Sequence, residues 1–401
     1  MAHDVVIYAL VHQPRRLKLP AQPIPPGASP EDIERCLFDE RLNERYFRQV
    51  AERCYYPTTR TFLELVDRGL KLSIGFSASF LRQAQAWDPN LLTLFQALIS
   101  HENVELVGVD PCHGFLLLID LPRFIEGMQR GGRALEAIFG RRPTVTDTTE
   151  MFMSDAIYQA LNQAGFRGAM FDGREPVMGW RDPAHLYHAG KKLKLLARSY
   201  HLSDDVGYRF ASRDWQGWPL TADVYSSWLQ QARGDLIFLA WDYETFGEHH
   251  GPRTGIFEFL DALPEEARRR DVRFLTASEA VERYSETAYH LPLPALPCSW
   301  AGGGGMEMFL GNGAQQAIFH LMSQAYNAAL LTAHEPLVDL AQWLLQSDNL
   351  HVIQWAGSAS AETQVSAYFT PKEWWEMGPA AIIAEQQQVY RNFIEALHPY
   401  L

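Results

Sequence analysis

Short apolar runs alternate with helical patterns through the first 290 residues, and this alternation restricts the fold more than any other feature. The runs lie at Val5–Val11, Leu72–Phe76, Val104–Val109, Thr144–Asp147, Gly168–Phe171, Leu193–Ala197, Leu236–Trp241 and Val272–Leu275. Several are apolar throughout, as expected for strands that are covered on both faces. Repeated strand–helix units predict a parallel sheet, and seven or eight of them favour a barrel related to the (β/α)8 type.

Helix signals separate the runs. One pattern begins after Ser29-Pro30, with acidic residues in its first turn, and extends to Gly69 with a break near Pro57. Another begins at Ser154, a good N-cap residue, and ends at Gly165. A third is expected to begin near Ser278. Polar caps and terminal glycines of this kind are typical helix boundaries.

The composition changes at residues 290–305, which read HLPLPALPCSWAGGGG. Their prolines and glycines predict an irregular connection. Beyond it, helical patterns cover Met306 to about Leu331, Leu337 to about Ser347 and Trp374 to Leu397. We therefore predict a catalytic barrel over residues 1–289 and a helical domain over residues 306–401 that packs on the barrel.

Composition argues against several classes of function. Hydrophobic residues make up 47% of the 401 residues, and the formal net charge is −13. A global charge of this sign disfavours nucleic acid and an anionic membrane surface as partners. The four cysteines are widely spaced and form no CxxC pair, so neither a zinc ribbon nor a redox pair is indicated. No signal peptide is recognisable at the N-terminus and no stretch reaches transmembrane length, so a cytoplasmic location is expected.

Polar side chains follow the apolar runs at the positions where a barrel carries its active site, the C-terminal ends of the strands. His12 and Gln13 end the first run, and His113 follows the third. Glu150 follows the fourth run, and Asp242 ends the run before the last. Two carboxylates from different strands, aimed at one cleft, are what glycoside hydrolysis requires.

Two tryptophans are predicted near the same mouth. Trp241 directly precedes Asp242, and Trp300 lies in the irregular connection. Burial beside an aromatic side chain would raise the pKa of Asp242 and keep a proton available at neutral pH. His249 and His250 are interpreted as part of a solvated loop. Consecutive side chains seldom chelate one ion, so a metal site is not expected there.

Several segments resemble those of glycoside hydrolase family 57, in its α-amylase-like branch. They read YALVHQPRRL, TDTTEMFMSDAI, WDYETFGEHHGPRTGIFEFLDALP and CSWAGGGGMEMFLGN. The resemblance implies an incomplete (β/α)7 barrel followed by a helical region. It also implies a retaining double displacement on α-glucosidic bonds, with no required metal and no other cofactor.

The resemblance also assigns roles to individual residues. Glu150 matches the nucleophile and Asp242 the general acid/base of the family. His12 matches a histidine that lines the sugar subsite at the cleaved bond, and His113 matches another residue of the cleft. We add Gln13, Trp241 and Trp300 as expected substrate-binding residues from their place at the barrel mouth.

The sequence departs from the family pattern at three places. Gly302–Gly305 replace charged residues that usually follow S-W-A, Val109 replaces a usual Glu, and Asp147-Thr148 replace a usual Arg-Asn. The favoured interpretation is an enzyme acting on α-1,4-glucans or maltooligosaccharides. A catalytically weak or inactive glucan-binding homologue is the alternative, and a metal-dependent polysaccharide deacetylase is less expected. The sequence leaves hydrolysis or transfer, linkage preference and oligomeric state open.

Overall fold

A ring of parallel strands forms the centre of the computed structural model, which describes residues 3–354 and 371–401. In these residues the strands are β1 (His3–Val11), β2 (Leu72–Phe76), β3 (Val104–Val107), β4 (Val145–Thr146), β5 (Gly168–Asp172), β6 (Leu186–His188), β7 (Lys194–Arg198), β8 (Leu236–Asp242), β9 (Val272–Leu275) and β10 (Tyr289–His290). The order around the ring is β1-β2-β3-β4-β5-β7-β8, and β8 pairs again with β1.

Two joints of the ring are weak. Gly108, just past β3, forms a single parallel bridge with Thr146 of β4. Arg198 and Phe238 form the single pair between β7 and β8. β6 runs antiparallel to β7, whereas β9 pairs with the first half of β1. The fold is therefore the incomplete (β/α)7-type barrel that the sequence predicts.

Side-chain alternation along β1 and β8 separates the inside of the ring from the outside. The interior apolar cluster includes Val6, Tyr8 and Leu10 of β1 and Phe238 and Ala240 of β8. Successive side chains of a strand point to opposite faces. The next interior positions are therefore His12 and Asp242, at the C-terminal ends of the two strands.

Helices cover the outside of the ring. They are α1 (Pro30–Leu37), α2 (Glu40–Val50), α3 (Tyr56–Asp67), α4 (Ala78–Trp87), α5 (Pro89–Ser100), α6 (Leu116–Ile119), α7 (Leu121–Phe139), α8 (Asp155–Ala164), α9 (Glu175–Met178), α10 (Tyr200–Gly207), α11 (Ala222–Gln231), α12 (Ile256–Arg268) and α13 (Ala277–Tyr284). α8 has the predicted caps, Ser154 and Gly165. α13 is capped by Thr276 through a capping box with Glu279, two residues earlier than the predicted start.

One helix closes the end of the ring opposite the predicted active site. Ala277, Ala280 and Val281 of α13 belong to the interior apolar cluster. These residues pack below the interior side chains of the strands, at the N-terminal end of the barrel. The C-terminal ends of the strands therefore provide the open mouth.

The C-terminal helices are α14 (Glu307–Leu310), α15 (Gly313–Leu331), α16 (Glu335–Trp343), α17 (Asp348–His351), α18 (Lys372–Met377) and α19 (Pro379–Ala396). They share one apolar cluster with the barrel. The Phe309 ring lies 5.5 Å from that of Phe115 and 5.8 Å from that of Phe152, centroid to centroid. The helix predicted from Trp374 onward is interrupted at Gly378, where φ is +81° and Pro379 begins a new helix.

The eight predicted strands all occur, two of them with the predicted bounds and the others with ends that differ by at most two residues. β6 and β10 are missed because three and two residues are too short to show a periodic pattern. Part of the predicted C-terminal domain, residues 355–370, lies outside the described residues. Among the described helices, none combines the length and apolarity needed to cross a bilayer.

Candidate active site

One cavity at the open end of the ring collects side chains predicted from the strand ends. It has a volume of about 60 Å³, and His12, His113, Glu150, Asp242 and Trp300 line it. His12 and Asp242 come from the interior faces of β1 and β8. Glu150 lies in a short 3-10 turn after β4, and the other two lie on loops.

The backbone at Glu150 is held in a left-handed conformation, with φ at 51°. A non-glycine residue in this region costs about 1–3 kcal/mol, so its surroundings must fix it. The Glu150 carbonyl accepts hydrogen bonds from Ser299 Oγ at 2.9 Å and from the Trp300 N–H at 3.2 Å. The irregular connection therefore fixes the turn that carries Glu150.

Among the described residues, three side chains donate hydrogen bonds to the Glu150 carboxylate. Trp300 Nε1 donates to Oε2 at 2.8 Å, whereas Ser347 Oγ at 2.9 Å and His113 Nε2 at 3.3 Å donate to Oε1. Burial alone would raise the pKa of Glu150, but the hydrogen bond and charge of His113, together with the Trp300 bond, lower it overall. Burial lowers the pKa of His113, but the hydrogen bond to Glu150 and the charges of Glu150, Asp348 and Asp110 together outweigh this and raise that pKa to about 9. Glu150 is thus an ionised carboxylate beside a cation.

The pKa of Asp242 is shifted in the opposite direction to that of Glu150. Burial raises its pKa to about 7, and the negative charge of Glu150 acts in the same direction. His113 and Arg198 oppose the rise without cancelling it. Of these two side chains, Glu150 therefore stays ionised and Asp242 retains a proton near neutral pH.

His12 joins the barrel to the C-terminal helices. Its Nε2 lies 3.0 Å from Asp348 Oδ2, and its Nδ1 lies 2.9 Å from Ser77 Oγ. Burial lowers the pKa of His12, so the ring is neutral at pH 7. Because a carboxylate only accepts, Nε2 carries the hydrogen and the Ser77 hydroxyl donates to Nδ1. The centroids of the His12 and His113 rings lie 4.3 Å apart.

Glu244 also lines the cavity. It is buried, and the Tyr55 hydroxyl donates a hydrogen bond to its Oε1. Burial, followed by the charge of Asp242, raises the pKa of Glu244 well above its ordinary value. Both effects disfavour a negative charge on Glu244 beside Asp242.

The structure places two predicted substrate-binding residues away from the cavity. Gln13 is fully buried and donates to Tyr55 Oη at 2.8 Å. Trp241 is 2% exposed, lies in the outer apolar cluster and donates from Nε1 to the Ser203 carbonyl at 2.7 Å. Each residue neighbours an interior position, so strand alternation directs its side chain outward. We correct both assignments to structural positions.

The C-terminal helices supply residues that the sequence reasoning missed. Ser347 and Asp348 bond to Glu150 and His12, and Met308, Phe309 and His351 line the cavity. The only available signal was the polar stretch QSDNLH at residues 346–351, which the helical pattern of Leu337 to Ser347 partly concealed.

The departures from the family motifs have structural consequences. Val109 lies in the barrel interior, and Gly302 lies on the cavity wall. Arg174 holds the glycine-rich turn by donating to the carbonyls of Trp300, at 2.7 Å, and Gly302. Asp147 accepts a hydrogen bond from Tyr8 Oη at 3.0 Å, and burial raises its pKa to about 7. His113, rather than an arginine at this position, is therefore the cation next to Glu150.

His249 and His250 do not form a solvated loop, so that interpretation is wrong. His250 is 4% exposed, and its Nε2 bonds to the Gly207 carbonyl at 3.0 Å. Burial lowers the pKa of His249 to about 3, so it is neutral at pH 7. Among the described residues, no group of three His, Cys, Asp or Glu side chains is arranged to hold a metal ion.

Sequence comparison identifies relatives over most of the chain. The sequence model of glycosyl hydrolase family 57 matches residues 6–294. A protein of Methanocaldococcus jannaschii named "Putative alpha-amylase" is 32% identical over 375 residues, which cover 90% of this chain and 79% of that protein.

Solved structures share the fold at low sequence identity. A family 57 branching enzyme from Thermococcus kodakaraensis gives a TM-score of 0.64 at 13% identity, over 100% of this chain and 96% of that one. The 4-alpha-glucanotransferase from Thermococcus litoralis gives 0.66 at 14% identity, over 92% of this chain and 60% of that one. From the matched region and the relative at 32% identity, we conclude that the chain belongs to glycosyl hydrolase family 57.

Proposed function

We propose that this chain is a retaining glycoside hydrolase or transglycosylase that acts on α-glucosidic bonds of α-1,4-glucans or maltooligosaccharides. The observation that carries the proposal is the contrast between Glu150, whose pKa is lowered, and Asp242, whose pKa is raised to about 7, in one cavity. A retaining enzyme needs an ionised nucleophile and a protonated acid at the same time.

The proposed reaction has two displacements. An oxygen of Glu150 bonds to the anomeric carbon while the glycosidic C–O bond breaks and Asp242 gives its proton to the leaving oxygen. Asp242, now ionised, removes a proton from water or from an acceptor sugar hydroxyl. That oxygen attacks the anomeric carbon and releases Glu150. Attack by water gives hydrolysis, and attack by a sugar gives transfer.

The substrate class is supported by the names of the relatives, which include an amylase, a branching enzyme and a glucanotransferase. The neutral imidazole of His12, held by Asp348 and Ser77, lines the cavity with its ring. Trp300 adds an aromatic face beside the nucleophile. These rings are suited to pack against the apolar face of a sugar ring.

A catalytically weak or inactive glucan-binding homologue remains the second candidate. The observation that favours it is the cavity volume of about 60 Å³, which has room for about four to six water molecules. A whole glucosyl unit carries eleven or twelve heavy atoms and needs more space.

The deciding experiment is a product profile on maltoheptaose and amylose. We expect the wild-type chain to release or transfer glucosyl units, with the α configuration retained at the first product. Glu150→Gln should abolish turnover. Glu126→Gln, at an exposed position, makes the same chemical change and should leave the rate unchanged. Binding of glucan without any product from the wild-type chain would establish the second candidate instead.

A further inference from the structure

A second cleft lies at the end of the barrel opposite the catalytic mouth. Its volume is about 860 Å³, and Arg167, Lys191, Lys192 and Lys194 line it together with Asn162 and Ser285. β5 begins one residue after Arg167, and β7 begins at Lys194. These residues therefore surround the N-terminal ends of two ring strands, beside helix α13, which closes that end.

The cleft gathers positive charge on a chain whose net charge is −13. Four cationic side chains line it, and no Asp or Glu does. The chain has six lysines, and three of them lie in residues 191–194. Burial and the charge of Lys194 both lower the pKa of the neighbouring His188, in agreement with a positive local potential.

The other three lysines have partners. Lys18 donates to the Arg35 carbonyl at 2.6 Å, Lys71 pairs with Glu279, and Lys372 pairs with Glu376 at 3.5 Å. Within the part of the chain that the structure describes, no protein hydrogen bond or ion pair involves the side chains of the four cleft cations. Their charges are therefore available to a solute.

The loop that carries Lys191 and Lys192 is fixed to helix α8. The Tyr158 hydroxyl accepts hydrogen bonds from the N–H groups of Ala189, at 3.1 Å, and Lys191, at 3.2 Å. Asn162 Oδ1 accepts from the Leu193 N–H at 3.3 Å. A fixed loop loses little conformational freedom on binding, which favours affinity.

A structural explanation for the cations is that they complement the carbonyl end of α8, which ends at Ala164 beside the cleft. That effect falls off within one helical turn, and one cation satisfies it. None of the four cations donates to a carbonyl of this helix among the described residues. Complementing the helix therefore accounts for one cation at most.

We propose that this cleft binds a phosphate ester with at least two negative charges, of the size of a sugar phosphate or a nucleotide. Its volume falls within the range of about 300–1,000 Å³ typical of small-molecule sites. Lysines bind phosphate as point charges, and arginine can donate two parallel hydrogen bonds. Phe166 adds an apolar wall for a sugar or a base. The ligand would be distinct from the glucan at the mouth.

The test is isothermal titration of the full chain with pyrophosphate, glucose 1-phosphate and adenosine diphosphate, with glucose as the uncharged control. We expect saturable binding of the phosphates at one site per chain and none of glucose. A preference for glucose 1-phosphate over pyrophosphate identifies a sugar phosphate, and a preference for adenosine diphosphate identifies a nucleotide. The triple variant K191Q/K192Q/K194Q should bind at least about tenfold more weakly, which is about 1.4 kcal/mol.

The chain offers a charge-matched control. K18Q/K71Q/K372Q changes the net charge equally, from −13 to −16, at the three remaining lysines. We expect it to keep wild-type phosphate affinity. Equal weakening in both triple variants would overturn the proposal, because only global charge would then matter. No saturable phosphate binding at millimolar concentration, or binding of heparin alone, would also overturn it.

The titration measures phosphate binding and not maltoheptaose turnover, so its result does not depend on whether the chain is catalytically active. Circular dichroism and Tm establish that each variant is folded before titration. If the triple variant K191Q/K192Q/K194Q is unfolded, the single variant Arg167→Gln is titrated in its place, because Arg167 is exposed. That single variant should also weaken pyrophosphate binding, and unchanged affinity would contradict the proposal.

Discussion

His12 Nε2 donates a hydrogen bond to Asp348 Oδ2 at 3.0 Å, although 336 positions separate the two residues in the chain. The neighbouring Ser347 reaches across in the same way to Glu150 Oε1, at 2.9 Å. The barrel supplies the carboxyl pair, and the C-terminal region supplies partners that orient two of the cavity side chains. The cavity is therefore complete only when both parts of the chain are present.

The first prediction concerns Asp348 as a positioning residue. Asp348→Ala should lower kcat/KM on maltoheptaose by about 10–100-fold, because losing a buried charge-assisted hydrogen bond costs about 1.5–3 kcal/mol. Asp348→Asn keeps an acceptor oxygen and should be milder. Asp339→Ala, which removes a carboxylate paired with Arg130 at 3.4 Å on the surface, should leave the rate unchanged. An unchanged rate in Asp348→Ala would remove His12 orientation from the mechanism.

The second prediction is the pH dependence of the rate. In the proposed mechanism Asp242 must carry its proton to protonate the leaving oxygen, and its pKa is raised to about 7. We expect kcat/KM to fall about tenfold per pH unit above about 7. The acid limb should lie below the ordinary Glu range, because the pKa of Glu150 is lowered. A single basic limb near 9 would instead indicate His113.

The same pKa values predict a direct effect of Glu150 on Asp242. The Glu150 charge is the second cause of the raised pKa of Asp242, after burial. In Glu150→Gln that charge is absent, so the pKa of Asp242 should fall. The measurement is the carboxyl carbon resonance of Asp242 followed by NMR from pH 3 to pH 9, which needs no activity. An unchanged titration would contradict a contribution of the Glu150 charge to this pKa.

A stability prediction follows from linkage. The folded-state pKa of Asp242 lies above its ordinary value of 3.8, so its contribution to stability is greatest below about pH 4 and is lost as the pH rises through about 7. Asn does not ionise, so the Asp242→Asn variant should not lose this stability as the pH rises. Its Tm should exceed that of the wild-type chain by about 2 °C or more at pH 8, since one pKa unit is about 1.4 kcal/mol. The difference should nearly vanish at pH 4. Asp214→Asn, at an exposed position, should show no such difference.

The strand-end rule accounts for three of the residues that line the cavity. His12, Glu150 and Asp242 could be located because barrels place functional groups where parallel strands end. Period-two alternation, applied to β1 and β8, would also have directed Gln13 and Trp241 outward. The apolar pattern holds this information, whereas adjacency to Asp242 along the chain places Trp241 near the mouth without specifying which face it occupies.

Asp348 and Ser347 could not be located in this way. Their partners lie 336 and 197 positions away, and only the packing of the C-terminal helices brings them to the mouth. A local pattern records which face of a helix is apolar, not which distant loop it meets. The environment of Glu150, including its left-handed φ of 51°, likewise depends on the Ser299–Trp300 segment, which contacts its carbonyl.

The last prediction concerns the dependence of the barrel on the C-terminal helices. A chain truncated after Leu291 should be insoluble or unstable, because truncation exposes apolar surface around Phe115 and Phe152 that Phe309 covers. In the full-length chain, Ile318→Ala should cost about 2–5 kcal/mol, since Ile318 of α15 is fully buried in the shared cluster. Leu331 lies on the same helix but is 75% exposed, so the Leu331→Ala substitution should leave Tm almost unchanged. Thermal unfolding followed by circular dichroism gives the comparison. A truncated chain that folds with the wild-type Tm would mean that the helical region is an independent module, and the cavity would then be assembled across two separately stable units.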